Sequence, residues 1–358
     1  MATYLASVRP RRPGARAIVR TPSLARWSVL ALVLLTLPGL VCVSAAASGG
    51  GPIRVCASIP PQAYLVERVG GDAVDVAILI QPGQSPHSFE PSPSLVGQCS
   101  DSDIVFSMGL PFEEQVASDL MAANPDLPVV DSCAGLVWRG ALEGHAHDES
   151  AETRGQAEAE QADAHGKTRS AHAEAHGHEE GGHEPDPHVW LSPTAAIHIA
   201  VNIKDGLSRV DPLHSEQYEA NLAALTEELT ALDAEISEML AGFRGESFFV
   251  FHPAYGYFAD KYGLDQVAIE VDGREPGPRD LAAVVSKAKA LGVTTIFVQP
   301  QHAASVAETA AAEIGARVVS LDPLAHDYVA MMRTIAREIA ASLSVREKHD
   351  TGHGAGDD

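Results

Sequence analysis

Cysteine is scarce in this sequence, and its spacing disfavours one common kind of metal site. The chain has only four: Cys42, Cys56, Cys99 and Cys133. No two of them stand in a CxxC element, which zinc sites built on thiolates normally require. Three cysteines follow residue 47, so an oxidising compartment would allow one disulfide and one free thiol, in any of the possible pairings.

Positively charged side chains are also few. The 25 Lys and Arg residues against 48 Asp and Glu residues give a formal net charge of −23 at pH 7. A surface with this charge repels nucleic acid and anionic membranes and attracts cations. We therefore expect no nucleic-acid partner.

The amino-terminal segment has the order of a secretory signal peptide. Six arginines and no acidic residue or lysine lie in residues 1–47, followed there by the apolar run WSVLALVLLTLPGLVCV and by SAAAS. A basic region, an apolar region and a small-residue cleavage site are typical of a cleaved signal. We expect removal of residues 1–47, which leaves a formal charge of about −29 (−23 − 6).

Two other interpretations of this segment are weaker. The apolar run contains Pro38 and Gly39 and is at the short limit for a membrane-spanning helix. Cys42 could carry a lipid, but the residues before it match the small-residue pattern of such processing poorly. A periplasmic protein is expected, and a lipid-anchored one is the less favoured alternative.

Eight short segments rich in Val and Ile predict β-strands. They lie at 53–59, 73–80, 103–109, 127–132, 247–252, 264–270, 293–299 and 316–321. Stretches with helical spacing of apolar residues separate them, and such alternation predicts parallel sheets covered on both faces. We predict an α/β fold of two doubly wound lobes, residues 52–192 and 245–345.

A long amphipathic helix is predicted between the lobes. Within the linker, residues 193–243, apolar side chains recur every three or four positions from 214 to 242. Such a helix is about 40 Å long at 1.5 Å per residue and would join the lobes as a spine. A coiled coil is the weaker alternative, because the pattern stops after four heptads. The polar tail, residues 346–358, is predicted to be disordered.

A histidine-rich segment, residues 141–185, interrupts the first lobe and is called the insert below. It has almost no large apolar residue, so it cannot bury enough surface to offset the entropy of ordering. Its histidines are His145, His147, His165, His172, His176, His178 and His183. Ligands on a disordered segment bind metal weakly and exchange it quickly, so we expect these seven to collect metal at most.

Four other residues are the candidate ligands of a tight site: His87, His188, His252 and Asp322. Three of them follow predicted strands, and His188 lies where the insert returns to the fold. Prolines near each one stiffen its loop. Three imidazoles and one carboxylate suit Zn²⁺ and could accept Mn²⁺ or Fe²⁺. Two ligands come from each lobe, which predicts a metal site in the cleft.

Five motifs carry a family resemblance: GQSPHSFEPSP, DPHVWLSP, FHPAYGYFADKYGL, GREPGP and LDPL. In this order the chain resembles the zinc- and manganese-binding solute-binding proteins of bacterial ABC transporters, the cluster A-I family, over nearly its whole mature length. The resemblance implies two lobes joined by one long helix with little hinge motion, and a monomer that serves a membrane permease and its ATPase. It places the ligands at His87, His188, His252 and Asp322.

The resemblance also favours zinc over manganese. His252 stands where manganese-binding members often have glutamate, and an acidic, histidine-rich insert is typical of the zinc-uptake branch. The chain departs from the family at Gln299, where glutamate is expected beside the site. His302 lies nearby and is a candidate accessory ligand.

Two other functions compete with metal delivery. HEEGGH is similar to the HExxH motif of zinc hydrolases, but His178 and His183 are five residues apart instead of four, so a helix would not present both on one face. Four protein ligands would also leave no position for a catalytic water. We therefore expect no enzyme. A periplasmic metal buffer or an adhesin with the same fold stays open, because a permease-docking surface cannot be identified in the sequence.

Overall fold

The computed structural model describes residues 51–140, 185–270, 276–302 and 304–351, with side chains to Arg346. The predicted signal peptide lies outside the described residues. So do the seven insert histidines and residues 352–358. None of the helices in the described part of the chain combines the length and apolarity needed to cross a bilayer.

The first lobe contains a four-stranded parallel sheet. Its strands are β1 (Ile53–Ala57), β2 (Val74–Ile78), β3 (Ile104–Ser107) and β4 (Val129–Asp131), in the order β2-β1-β3-β4. The helices between them are α1 (Pro60–Gly70), α2 (Pro93–Ser100) and α3 (Glu113–Ala123). Each strand falls within a segment predicted from its Val and Ile content.

The second lobe repeats this topology. Its strands are β5 (Ser247–Val250), β6 (Asp265–Ala268), β7 (Thr295–Val298) and β8 (Arg317–Ser320), in the order β6-β5-β7-β8. Its helices are α6 (Gly256–Tyr262), α7 (Pro278–Ala290), α8 (Ser305–Ile314) and α9 (Tyr328–Thr351). The predicted α/β class with two lobes is thus confirmed.

Two helices, and not one, connect the lobes. The predicted long helix is α5 (Ser215–Leu240), whose 26 residues span about 39 Å. Its buried side chains follow the predicted stripe, except that Leu240 is buried in place of Met239. The linker prediction missed α4 (Pro193–Val210), whose amino terminus is capped by the Ser192 hydroxyl. Helix α4 packs along α5 and α1, and α5 contacts α1 of the first lobe and α9 of the second.

The last helix is longer than predicted. The sequence predicts a disordered tail from residue 346, whereas α9 continues to Thr351. Residues 344–351 contain neither glycine nor proline, and Gly352 is the first residue that disfavours a helix. Polar composition alone therefore placed the boundary too early.

A disulfide links Cys56 of β1 to Cys99 near the end of α2. Cys133 is a buried free thiol. The structure thus contains one pair and one thiol, the combination that the sequence allows, and identifies the pair. Much of the buried apolar surface forms one cluster, which continues from the first sheet across α4 and α5 to α6 and α9. The lobes thus share a core.

Candidate metal centre

The predicted ligands lie where parallel sheets normally bind ligands. His87 is in the segment that follows β2. His252 lies two residues beyond the end of β5, and Asp322 lies two residues beyond the end of β8. His188 lies where the chain re-enters the fold after the insert. Strand β5 lies between β6 and β7, so the chain continues from β5 to the strand on one side and then crosses to the strand on the other side. In parallel sheets, the crevice at the carboxyl end of such a strand is a favoured position for ligand binding.

Three imidazoles converge in this crevice. The Nε2 atom of His188 lies 3.4 Å from Nε2 of His87 and 3.4 Å from Nε2 of His252. Two nitrogens bound to one tetrahedral Zn²⁺ at its usual bond length are about 3.3 Å apart. His188 thus stands at the spacing of a zinc tetrahedron from each of the other two histidines, and the ligand atoms of all three lie within 4.8 Å of one another. His188 and His252 are buried, whereas His87 is exposed.

Carboxylates orient the two buried imidazoles. The Nδ1 atom of His188 lies 2.8 Å from Oδ1 of Asp186, and Nδ1 of His252 lies 2.5 Å from Oε2 of Glu270. Each carboxylate accepts a hydrogen bond from the protonated Nδ1, so the lone pair of each neutral ring is on Nε2, which faces the other rings. Glu270 was not among the predicted site residues, although it ends the predicted strand 264–270, the next one along the chain after the strand that ends at His252.

Asp322 does not join this group. Among the described residues, the cluster whose ligand atoms all lie within 4.8 Å of one another contains only the three histidines. Oδ1 of Asp322 accepts hydrogen bonds from the Gln301 side chain at 2.8 Å and from the Leu324 backbone at 3.0 Å. No hydrogen bond from the described residues reaches Oδ2. The fourth ligand therefore stays a prediction.

The family profile described as the periplasmic component A of a zinc-uptake complex matches residues 55–342. The chain belongs to this family. The zinc-uptake family explains why the motifs at His87, His188 and His252 occur in one order, and the match includes both lobes and both connecting helices.

Similar proteins include zinc-binding members of known sequence and structure. The high-affinity zinc uptake system protein ZnuA of Paracoccus denitrificans is 39% identical over 70% of this chain and 76% of its own. The zinc-binding protein AdcA of Streptococcus pyogenes is 29% identical over 83% of this chain, which spans 57% of that protein. A crystal structure of a ZnuA deletion mutant with zinc bound is 34% identical, with a TM-score of 0.67 over 81% of this chain and 98% of that one.

Gln299 holds the backbone of His252. Its side-chain Nε2 donates to the His252 carbonyl at 2.8 Å, and its Oε1 accepts from the His252 amide at 3.4 Å. A glutamate could accept but could not donate in this arrangement. His302 stacks on the His252 ring, with centroids 4.7 Å apart, and is not part of the three-histidine cluster.

The environment favours the neutral imidazoles that bind metal. His87 is exposed as a residue, but its ring centroid lies 4.7 Å from that of His252 and 5.3 Å from that of His188. Desolvation of the ring, followed by repulsion from the neighbouring histidines, lowers the pKa of His87 to about 3. Desolvation also lowers the pKa of His188, against the opposing effect of Asp186. Burial alone would raise the pKa of Glu270, but the hydrogen bond with His252 makes the net shift downward. The cleft is therefore electrostatically ready for a divalent cation before it arrives.

These shifts predict how pH affects the stability of the metal-free protein. Unfolded histidine has a pKa of about 6.5, so below that pH the unfolded chain binds more protons than His87 and His188 do in the fold. The free energy of unfolding should therefore decrease as the pH falls below about 6.5. Urea unfolding in a chelator, at about pH 7.5 and pH 5, measures the change.

The matched variant is His87→Gln, which should reduce this pH dependence. The exposed His214, substituted in the same way, is the control because it lies outside the cleft at the turn between α4 and α5. An unchanged dependence in His87→Gln would contradict the assignment.

Proposed function

We propose that this protein captures Zn²⁺ outside the cytoplasmic membrane and delivers it to the permease of an ABC transporter, which its ATPase drives. The observation that carries the proposal is the convergence of three imidazoles, with Nε2 of His188 3.4 Å from Nε2 of His87 and of His252, and with the two buried rings held by carboxylates. Membership of the zinc-uptake family and the zinc-binding relatives support it.

The proposed ligands are His87, His188 and His252, with Oδ2 of Asp322 or a water completing the tetrahedron. Three imidazoles favour zinc over Mn²⁺, which prefers oxygen ligands. An iron- or manganese-binding member of the same family is the alternative. Calcium and magnesium are disfavoured by the same set of nitrogens.

Capture and release should take place on the His87 side of the cleft. His188 and His252 are buried at 7% exposure each, whereas His87 is exposed and lies on the segment between β2 and α2. An entering cation can therefore bind His87 first, and a departing cation can dissociate from His87 last, while both lobes stay folded. The two buried imidazoles would supply the fixed half of the site.

The geometry gives no support to the hydrolase alternative. A hydrolase needs a general base near the metal-bound water. Glu270, a carboxylate of the cleft, is 8% exposed and accepts from Nδ1 of His252, so its position suits a residue that orients a ligand. We accordingly propose a binding protein.

The processed form is part of the proposal. Residues 1–47 would act as a cleaved secretory signal, and the mature protein would reside in the periplasm. Attachment of a lipid at Cys42 is the alternative. The histidines of the insert would collect zinc weakly and pass it to the cleft.

The test is a competitive zinc titration of the mature protein against a chromophoric chelator, repeated on a variant that lacks residues 144–183. We expect one tight site in both proteins and several weak sites only in the intact one. The chain can close across the deletion because the Asp186 amide donates to the Arg139 carbonyl at 3.1 Å. Loss of the tight site together with the insert would overturn the assignment of the ligands to the cleft.

A further inference from the structure

We propose that Arg139 is a positioning residue for the metal ligand His188. Its guanidinium fixes the carboxylate of Asp186, which in turn orients the His188 imidazole. The inference rests on the proposed function, since it concerns the same site. It adds a residue outside the family motifs, at the point where the chain leaves the first lobe for the insert.

The backbone around Arg139 forms a junction between the lobes. The Arg139 amide donates to the Tyr257 hydroxyl at 2.7 Å, and that hydroxyl donates to the Asp186 carbonyl at 3.0 Å. The Asp186 amide donates to the Arg139 carbonyl at 3.1 Å. The chain segments on either side of the insert are thereby held side by side against Tyr257 of α6 in the second lobe.

The guanidinium of Arg139 faces two carboxylates at this junction. Its Nε donates to Oδ2 of Asp260 at 2.7 Å, and one terminal nitrogen lies 3.7 Å from Oδ2 of Asp186. That oxygen of Asp186 is buried and accepts no hydrogen bond from the described residues. A buried carboxylate oxygen without a donor is costly, and the nearby cation offsets part of that cost.

The other oxygen of Asp186 does the orienting. Oδ1 accepts from the His188 amide at 3.0 Å and lies 2.8 Å from Nδ1 of the His188 ring. If the carboxylate rotates, both contacts change together. The Arg139 charge on the Oδ2 side favours the rotamer that keeps Oδ1 on His188, so it acts on the ligand through one intervening side chain.

The start of α6 leaves room for this arrangement. A Cβ atom on Gly256 would lie 2.6 Å from a terminal nitrogen of Arg139 and 2.7 Å from Oδ2 of Asp186. Both distances are shorter than nonbonded contacts allow, so a larger residue would require at least one of these side-chain ends to shift. Glycine at this position thus accommodates the pair as it stands.

The experiment is a double-mutant cycle on zinc affinity with Arg139→Gln, Asp186→Asn and both together. Substitution of a residue that orients a ligand typically lowers metal affinity about 10- to 100-fold. We expect a loss in that range for Asp186→Asn and about three- to tenfold for Arg139→Gln. If the effect of Arg139 on zinc affinity is transmitted by Asp186, the double variant should be no weaker than Asp186→Asn within about twofold.

Arg333→Gln is the matched control. Arg333 is as exposed as Arg139, at 42% and 41%, and its Nε also donates to a carboxylate, at 2.8 Å on Glu235. This pair joins α9 to α5 and does not contact the cleft. The ¹⁵N shifts of the His188 ring in the metal-free protein provide a second readout, which should change in Arg139→Gln and not in Arg333→Gln.

Three results would overturn the inference: equal losses in Arg139→Gln and Arg333→Gln, additive losses in the cycle, or the full Arg139 effect reproduced by Asp260→Asn. The last would mean that Arg139 acts by joining the lobes. A His252→Ala variant run in parallel separates this failure from failure of the proposed function. If His252→Ala retains tight binding, the cleft is not the zinc site; if it loses binding, only the role of Arg139 is in question.

Discussion

Replacing His252 with alanine should weaken tight zinc binding by about two to three orders of magnitude, while His176→Ala should change it less than about threefold. A zinc site of several ligands binds with about 10–16 kcal/mol in all, so one imidazole accounts for several kcal/mol, and every 1.4 kcal/mol is tenfold. The variant also removes the His252 ring that Glu270 contacts through Nδ1 and so leaves this carboxylate without its partner. The Gln299 bonds remain, because they are made to the His252 backbone.

A competition titration of each purified variant, with unfolding curves recorded in chelator, tests this prediction. His214→Ala is the control for loss of a histidine that has a carboxylate partner, because His214 pairs with Asp211 at 2.5 Å outside the cleft. It should bind zinc like the wild type. Similar losses in His252→Ala and His176→Ala would mean that cleft and insert are not different classes of site.

The strands could be predicted from the sequence because buried parallel strands leave a local signal. All eight segments rich in Val and Ile contain a strand, and the apolar stripe from Tyr218 to Ile236 is the buried face of α5. Helix α4 was missed although its buried residues, among them Ala196, Ile199 and Ile203, follow a helical period. The prediction for the linker rests on its longest periodic stretch, which is α5, and α4 is the shorter periodic stretch beside it.

The candidate site was predictable in part for the same reason. His87, His188 and His252 stand beside prolines at strand ends or fold re-entry points, which a sequence displays directly. Glu270 could not be singled out, because its partner His252 is 18 residues away and follows a different strand. Pairing of β5 with β6 brings them together, and strand order is not written in local periodicity.

Arg139 illustrates the same limit more strongly. Its partner Asp186 lies on the other side of the insert, and its second partner, Asp260, is 121 residues away. The sequence around Arg139 has no spacing that indicates a contact with either. Only the contacts of Arg139 and Asp186 with Tyr257 of α6 bring a cation of the first lobe beside a carboxylate that orients a ligand.

Removing the Cys56–Cys99 disulfide should cost about 4 kcal/mol of stability. The bond closes a loop with a sequence separation of 43, and the loss of loop-closure entropy for that length gives about this value at 25 °C. We expect Cys56→Ala/Cys99→Ala to show it as a lower urea midpoint. Zinc should be removed with a chelator during the measurement, because bound ligand would add its own stabilisation.

The free energy of zinc binding should change far less in this double variant than its free energy of unfolding does. The segment that carries His87 runs from β2, which pairs with β1, to α2, which the disulfide ties to β1. Without the bond, α2 is freed at one end, but Phe89 still packs edge-on against Phe112 with ring centroids 5.1 Å apart. His87 therefore keeps one local anchor and the paired strand behind it.

Cys133→Ala is the control for loss of a buried sulfur without loss of a cross-link. Cys133→Ala should lower the free energy of unfolding much less than the double variant does. Because Cys133→Ala keeps the disulfide, reductant should destabilise this variant as much as the wild type. Reductant should leave the double variant unchanged, since no bond remains to be broken. If the double variant and Cys133→Ala lose equal stability, the disulfide contributes only the packing of its sulfur atoms, and the His87 segment depends on the β1–β2 pairing and the Phe89 contact alone.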